Sequence, residues 1–162
     1  MKKFTYLLLS TWLLVAHVAM AGDLPQLKET HDLYTLGEKA NKKDLPILVM
    51  FSQTGCAYCV VLEDQYLRPM LKSGDYRDKV IIRKVKIDGF DTLRNFDGSE
   101  IEASDFAGKY RAYVTPTMVF LDHNGNELTS RLMGVGTEGF FAAEIDQAID
   151  TSLNRLRSVA LK

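Results

Sequence analysis

The sequence predicts an α/β domain in which a central mixed β-sheet is covered by helices on both faces. Three observations point to it. Two apolar, β-branched runs, PILVMF (46–51) and KVIIRKVKID (79–88), are separated by a long helical pattern, the order of a βαβ unit with a right-handed crossover. A third run, TMVFLD (117–122), leads through His123-Asn124-Gly125 into a returning segment, which reads as a hairpin. The chain has 162 residues, 46% of them apolar, enough for one domain with its own core.

The first residues, MKKFTYLLLSTWLLVAHVAMAGD, put Lys2 and Lys3 before an uncharged apolar run to about Val18, followed by Ala19-Met20-Ala21. That is the order of a secretory signal peptide, basic end, apolar run and A-x-A cleavage site. Residues 1–21 are therefore expected to be removed in the periplasm, leaving residues 22–162 as a single domain. Left uncleaved, the run would serve as a membrane anchor, although it is short for spanning and carries His17. Of 20 basic side chains the leader holds Lys2 and Lys3, so 18 remain against 21 acidic ones, a formal charge of −3. No basic block survives, which argues against nucleic acid as a partner.

The elements follow in order. LPQLKETHDLYTLGEKANKK (24–43) places Leu27, His31, Tyr34 and Ala40 on one face of an amphipathic helix. PILVMF is continuous in apolar character, as befits a strand buried on both faces. CAYCVVLEDQYLRPMLK reads as a helix with Cys59, Leu62, Tyr66 and Met70 on one side, bent or ended by Pro69. KVIIRKVKID reads as a second central strand. Residues 91–102 hold Asp97-Gly98, a tight-turn dipeptide that closes a small hairpin. Ser104 or Asp105 then caps a short helix through Tyr110. NELTSRLMG (126–134) returns from the third strand, and Thr137 caps a last helix to about Arg157. Its apolar side holds Phe140, Phe141, Ile145, Ala148, Ile149 and Leu153. Phe51, Phe120, Phe140 and Phe141 are expected in the core.

Both cysteines of the chain lie in FSQTGCAYC, with only Ala57 and Tyr58 between Cys56 and Cys59. As a structural staple the pair would close a very small loop and constrain the unfolded chain little. As a zinc half-site it lacks nearby ligands, since the remaining histidines after the leader are His31 and His123. The third role is reversible redox chemistry. A cysteine at a helix start gains from unpaired N–H groups and the macrodipole, which favour the attacking thiolate.

FSQTGCAYC, VKID, VTPTMVFLDHNG and Gly134 together resemble the motifs of the thioredoxin superfamily, over roughly residues 45–155. Leu62-Glu63 and the insert before Lys109-Tyr110 are similar to exported thioredoxin-like proteins of the SoxW type and to the C-terminal domain of DsbD. The resemblance implies a thioredoxin fold with a small insert before a cis-proline strand, a Cys56–Cys59 disulfide, and thiol:disulfide oxidoreductase activity without metal or organic cofactor. Cys56 would be the nucleophile and Cys59 the resolving thiol. The Thr115–Pro116 bond would be cis, with Thr115, Pro116, Ala57 and Tyr58 contacting the substrate. Where the family has a buried aspartate this chain has Met50, and where it commonly has Trp before the first cysteine it has Gly55. Glu63 is the candidate replacement acid, a carboxyl held near the pair to move protons, while Lys84, the usual neighbour of the missing aspartate, would be left idle. Implied partners are disulfide-bearing client proteins and an upstream thiol donor such as a membrane thiol relay, with the protein a monomer. A copper chaperone using the same two thiols, or a binding module with a vestigial site, are the competing readings.

Overall fold

The computed structural model describes residues 24–89 and 91–160, so the expected leader lies outside the described residues. Their elements run α1 (Leu33–Lys43), β1 (Ile47–Ser52), α2 (Ala57–Leu62), a π-helical turn (Glu63–Leu67), α3 (Arg68–Ser73), β2 (Ile81–Lys86), β3 (Thr92–Arg94), β4 (Glu100–Glu102), α4 (Ala103–Lys109), β5 (Thr117–Leu121), β6 (Leu132–Met133) and α5 (Phe141–Ala160). A four-stranded sheet has the order β2-β1-β5-β6, and β3-β4 form a separate hairpin. β1 runs parallel to β2 and antiparallel to β5, the expected mixed sheet.

All six residues of β1 are buried, because this strand faces helices on both sides. Val49 and Phe51 join one core with α1, α4 and Leu153, and Leu48 and Met50 join a second with Cys59, Leu62, Leu67 and α5. The alternation of strand side chains thus divides the apolar residues between two layers. Among the described residues, no helix is long and apolar enough to cross a membrane.

Several expectations are corrected. Residues 24–32 are an extended arm: Thr30 N–H donates to the Lys84 carbonyl at 2.9 Å and Lys84 N–H to the Lys28 carbonyl at 3.0 Å. The helix begins only at Leu33, where the Asp32 carboxylate accepts from the Thr35 N–H and hydroxyl, both at 2.8 Å, a strong N-cap that fixes the start. Leu27 is buried all the same, but from the arm. β2 is therefore an outer strand of the four-stranded sheet and not a central one, and the arm covers its flank.

Pro69 does not end its helix. Helical structure continues from Ala57 through Ser73, widened by the π turn just before the proline. Leu62 and Leu67 are both fully buried. Five residues apart, they would sit about 140° apart around a regular α-helix, and the extra residue of a π turn brings them to the same side.

The Asp97-Gly98 hairpin forms as expected, with Gly98 at φ +83°. The helix after it is preceded by Glu102 at the N-cap position without a side-chain cap, so neither Ser104 nor Asp105 serves. Gly139 at φ +84° delays α5 to Phe141, and Thr137 contributes its carbonyl, which accepts from Phe140 and Phe141 N–H, rather than a side-chain cap. Phe140 consequently falls in the preceding turn and is 69% exposed, not in the core. The returning strand is reduced to Leu132–Met133 plus one bridge from Leu121 to Glu127.

Candidate functional site: the Cys56–Cys59 pair and its surroundings

β1 ends at Ser52 and the chain turns through Gln53, Thr54 and Gly55 to α2. Gly55 has φ +73°, a conformation that suits glycine and strains other residues, which accounts for the missing Trp in conformational terms. Cys56 is the N-cap residue of α2 and is bonded to Cys59. Its Sγ accepts the Cys59 N–H at 3.1 Å. That bond and the helix behind it sit where negative charge on Cys56 would develop on reduction, so the same geometry favours a thiolate. Cys59 is buried at 2% exposure and Cys56 is partly exposed, so an incoming disulfide reaches Cys56 first.

The Thr115–Pro116 bond is cis. Thr117 pairs with Phe51, which sets Pro116 one residue further along, beside the end of β1 where the chain turns toward Cys56. Gly134 N–H donates to the Pro116 carbonyl at 2.7 Å and the Thr117 hydroxyl to the Val114 carbonyl at 2.7 Å, so the loop is tied on both sides. Tyr58, Tyr113, Val114 and Met133 are large apolar side chains left exposed in the segments that form this region. Tyr113, Val114 and Met133 were not singled out from sequence; their adjacency to Thr115 and Gly134 was the available signal.

On the other side of the pair an open groove of about 330 Å³ is lined by Cys56, Cys59, Glu63, Lys84, Lys86 and Gln53 among others. Met50 is fully buried in the core cluster that also holds Cys59 and offers no proton acceptor. Glu63 lies one turn beyond Cys59 and donates its N–H to the Cys59 carbonyl. Its carboxylate takes the Lys84 ammonium at 2.9 and 3.0 Å, with both side chains about one-sixth exposed. Lys84 is thus not idle: the missing aspartate is replaced, for Lys84, by an acid on the helix. Sequence reasoning placed Glu63 near the pair but missed its partner, 21 residues away.

Asp88, just past β2, was also missed as a site residue. Its Oδ2 accepts the Thr54 N–H at 2.7 Å, and the Thr54 hydroxyl and N–H together hold its carboxyl below the ordinary range. Among the described residues no cluster of three or more His, Cys, Asp or Glu is arranged to hold a metal. His31 contacts Glu29 at 3.5 Å and His123 contacts the Asn124 side chain, both on the surface.

The fold and the pair define a class. A family model for the thioredoxin-like domain matches residues 37–149, and the chain belongs to that family. Thioredoxin from Fasciola hepatica superposes with a TM-score of 0.53 at 19% identity, covering 76% of this chain and 97% of the other. Thioredoxin NaTrxh from Nicotiana alata gives 0.51 at 21% identity, with 81% and 98% covered. Malassezia sympodialis thioredoxin gives 0.53 at 19%, with 82% and 98% covered. These likenesses establish the thioredoxin fold. Among curated proteins no match is found. Fold and CxxC pair together support thiol–disulfide exchange as the general class of chemistry.

Proposed function

We propose that this protein is an exported thiol:disulfide oxidoreductase that reduces disulfides of partner proteins. The observation that carries the reading is a partly exposed Cys56 at a helix start, bonded to a buried Cys59, with a cis-proline loop beside the turn that leads to it. Export rests on the basic, apolar and A-x-A order of residues 1–21. The reductive direction, the SoxW-like assignment and supply of electrons by a membrane thiol relay rest on the resemblance of Leu62-Glu63 and the insert.

In the forward reaction Cys56 thiolate attacks one sulfur of the client disulfide. The client's other sulfur leaves as thiolate and takes a proton, and a mixed disulfide joins client and Cys56. Cys59 then loses its proton and attacks Cys56 Sγ, releasing the second client thiol and closing the Cys56–Cys59 bond. Two electrons have passed to the client, and a donor dithiol restores the pair by the reverse exchange. The client chain lies along Thr115 and Pro116, with Ala57, Tyr58 and the exposed Tyr113 and Val114 offering it apolar contact. Glu63, with Lys84 against it, handles the proton of the buried Cys59.

Replacing the resolving thiol tests the reading. Cys59→Ser expressed in a periplasm should accumulate proteins joined to Cys56 by a reducible bond, seen as shifted bands on non-reducing gels and absent from Cys56→Ser/Cys59→Ser. If no Cys56-dependent adduct forms, the proposed function is wrong.

A further inference from the structure

We propose that Asp88 is a positioning residue of the redox site: its carboxylate holds the turn before Cys56, and through it the sulfur, in the orientation for attack on a disulfide lying along Thr115. This rests on the function proposed above. Gln53, Thr54 and Gly55 are all exposed, so no buried side chain anchors the turn that delivers Cys56. Gly55 adds backbone freedom at this point: a Cβ there would meet nothing within 4 Å. What ties the turn to the sheet is polar. Ile87 N–H donates to the Ser52 carbonyl at 2.9 Å, carrying the β1–β2 pairing one step past the strand. That brings Asp88 under the turn, where Oδ2 accepts the Thr54 N–H at 2.7 Å across 34 residues of sequence. The Thr54 hydroxyl and N–H both act to hold this carboxyl below the ordinary carboxylate range. Inside the turn, Cys56 N–H reaches the Gln53 carbonyl at 3.4 Å, a long bond that leaves the Asp88 clamp as the firm one.

Asp88 also contributes charge. The other charged groups facing the pair are Glu63 from the helix and Lys84 and Lys86 from β2. A carboxylate under the turn disfavours Cys56 thiolate, so charge and positioning must be separated. Two variants do so. Asp88→Asn keeps an oxygen acceptor and loses the charge, whereas Asp88→Ala loses both. The reduced protein is assayed by the pH profile of iodoacetamide alkylation at Cys56 and by reduction of a peptide disulfide at a pH where Cys56 is fully thiolate.

Both variants should lower the alkylation midpoint alike. Only Asp88→Ala should slow peptide reduction, by about tenfold, as small misplacements of reacting groups do, and Asp88→Asn should stay within about twofold of wild type. Hydrogen exchange at the Thr54 amide reads the clamp independently of activity, with protection lost in Asp88→Ala and kept in Asp88→Asn. Equal peptide rates in the two variants, or unchanged Thr54 protection in Asp88→Ala, overturn the proposal. A wild-type protein with a protected Thr54 amide that reduces no peptide disulfide overturns instead the functional reading, and the positioning role with it.

Discussion

At Glu63 and Lys84 two opposite charges meet beside a buried sulfur, each removed from most of its water. Such a pair is costly to break from one side, since the survivor is left charged and poorly solvated. Glu63→Gln should therefore lower stability by about 1–3 kcal/mol, read from denaturant midpoints, in line with the loss of a charged hydrogen bond. The same substitution removes the carboxylate that lines the groove with Cys56 and Cys59. Release of a mixed disulfide, followed by stopped flow, should slow by about tenfold or more if this acid moves the Cys59 proton. Retention of the release rate alongside the stability loss would reduce Glu63 to a structural role.

Elements are joined by side chains that sequence patterns do not display. The Tyr76 hydroxyl donates to Asp146 at 2.5 Å, linking the end of α3 to α5. Burial, with the Asp146 hydrogen bond and charge next, pushes the phenol up to about 12 from its ordinary 10. A raised pKa means that the folded state holds this proton more tightly than the unfolded chain. The stabilisation is complete below about pH 10 and is lost as pH rises toward 12. Tyr76→Phe should lower the melting temperature at neutral pH, by an amount corresponding to about 1–2 kcal/mol. It should also flatten the alkaline decline in stability, and thermal melts between neutral and strongly alkaline pH check both.

For the molecule as a whole, acid should loosen turns before it opens the core. Asp32, Asp88 and Asp97 each have a carboxyl held below the ordinary range, by Thr35 N–H and hydroxyl, by the Thr54 hydroxyl and N–H, and by the Ser99 hydroxyl and N–H respectively. Because these pKa values are depressed in the folded state, their stabilisation is present above about pH 4 and is lost as pH falls through the folded values. Hydrogen exchange should accordingly increase at Thr35, Thr54 and Ser99 amides, relative to the core strands, as pH falls below about 4.

The parts of this molecule legible in sequence were those whose signal is local. PILVMF announces a doubly buried strand, Asp97-Gly98 a tight turn, and Thr115-Pro116 with CxxC the redox fold. The failures have a common physical cause. Leu27 and His31 sit at helical spacing, yet residues 24–32 are extended because unpaired groups on β2 offer better partners than an isolated turn of helix. Phe140 continues the apolar stripe of α5 in sequence, but Gly139 in a left-handed conformation starts the helix after it. Lys84, Asp88 and the Met133 flank of the cis-proline loop meet the site only through chain crossings, which no periodicity encodes.

The arm along β2 has a bearing on solution behaviour. An outer strand with free N–H and carbonyl groups invites a second molecule to add its own strand, a route to aggregation. Lys28 and Thr30 occupy those groups at Lys84, and the opposite flank of the sheet ends in a strand of two residues. The described residues therefore offer little template on either flank of the sheet for runaway pairing.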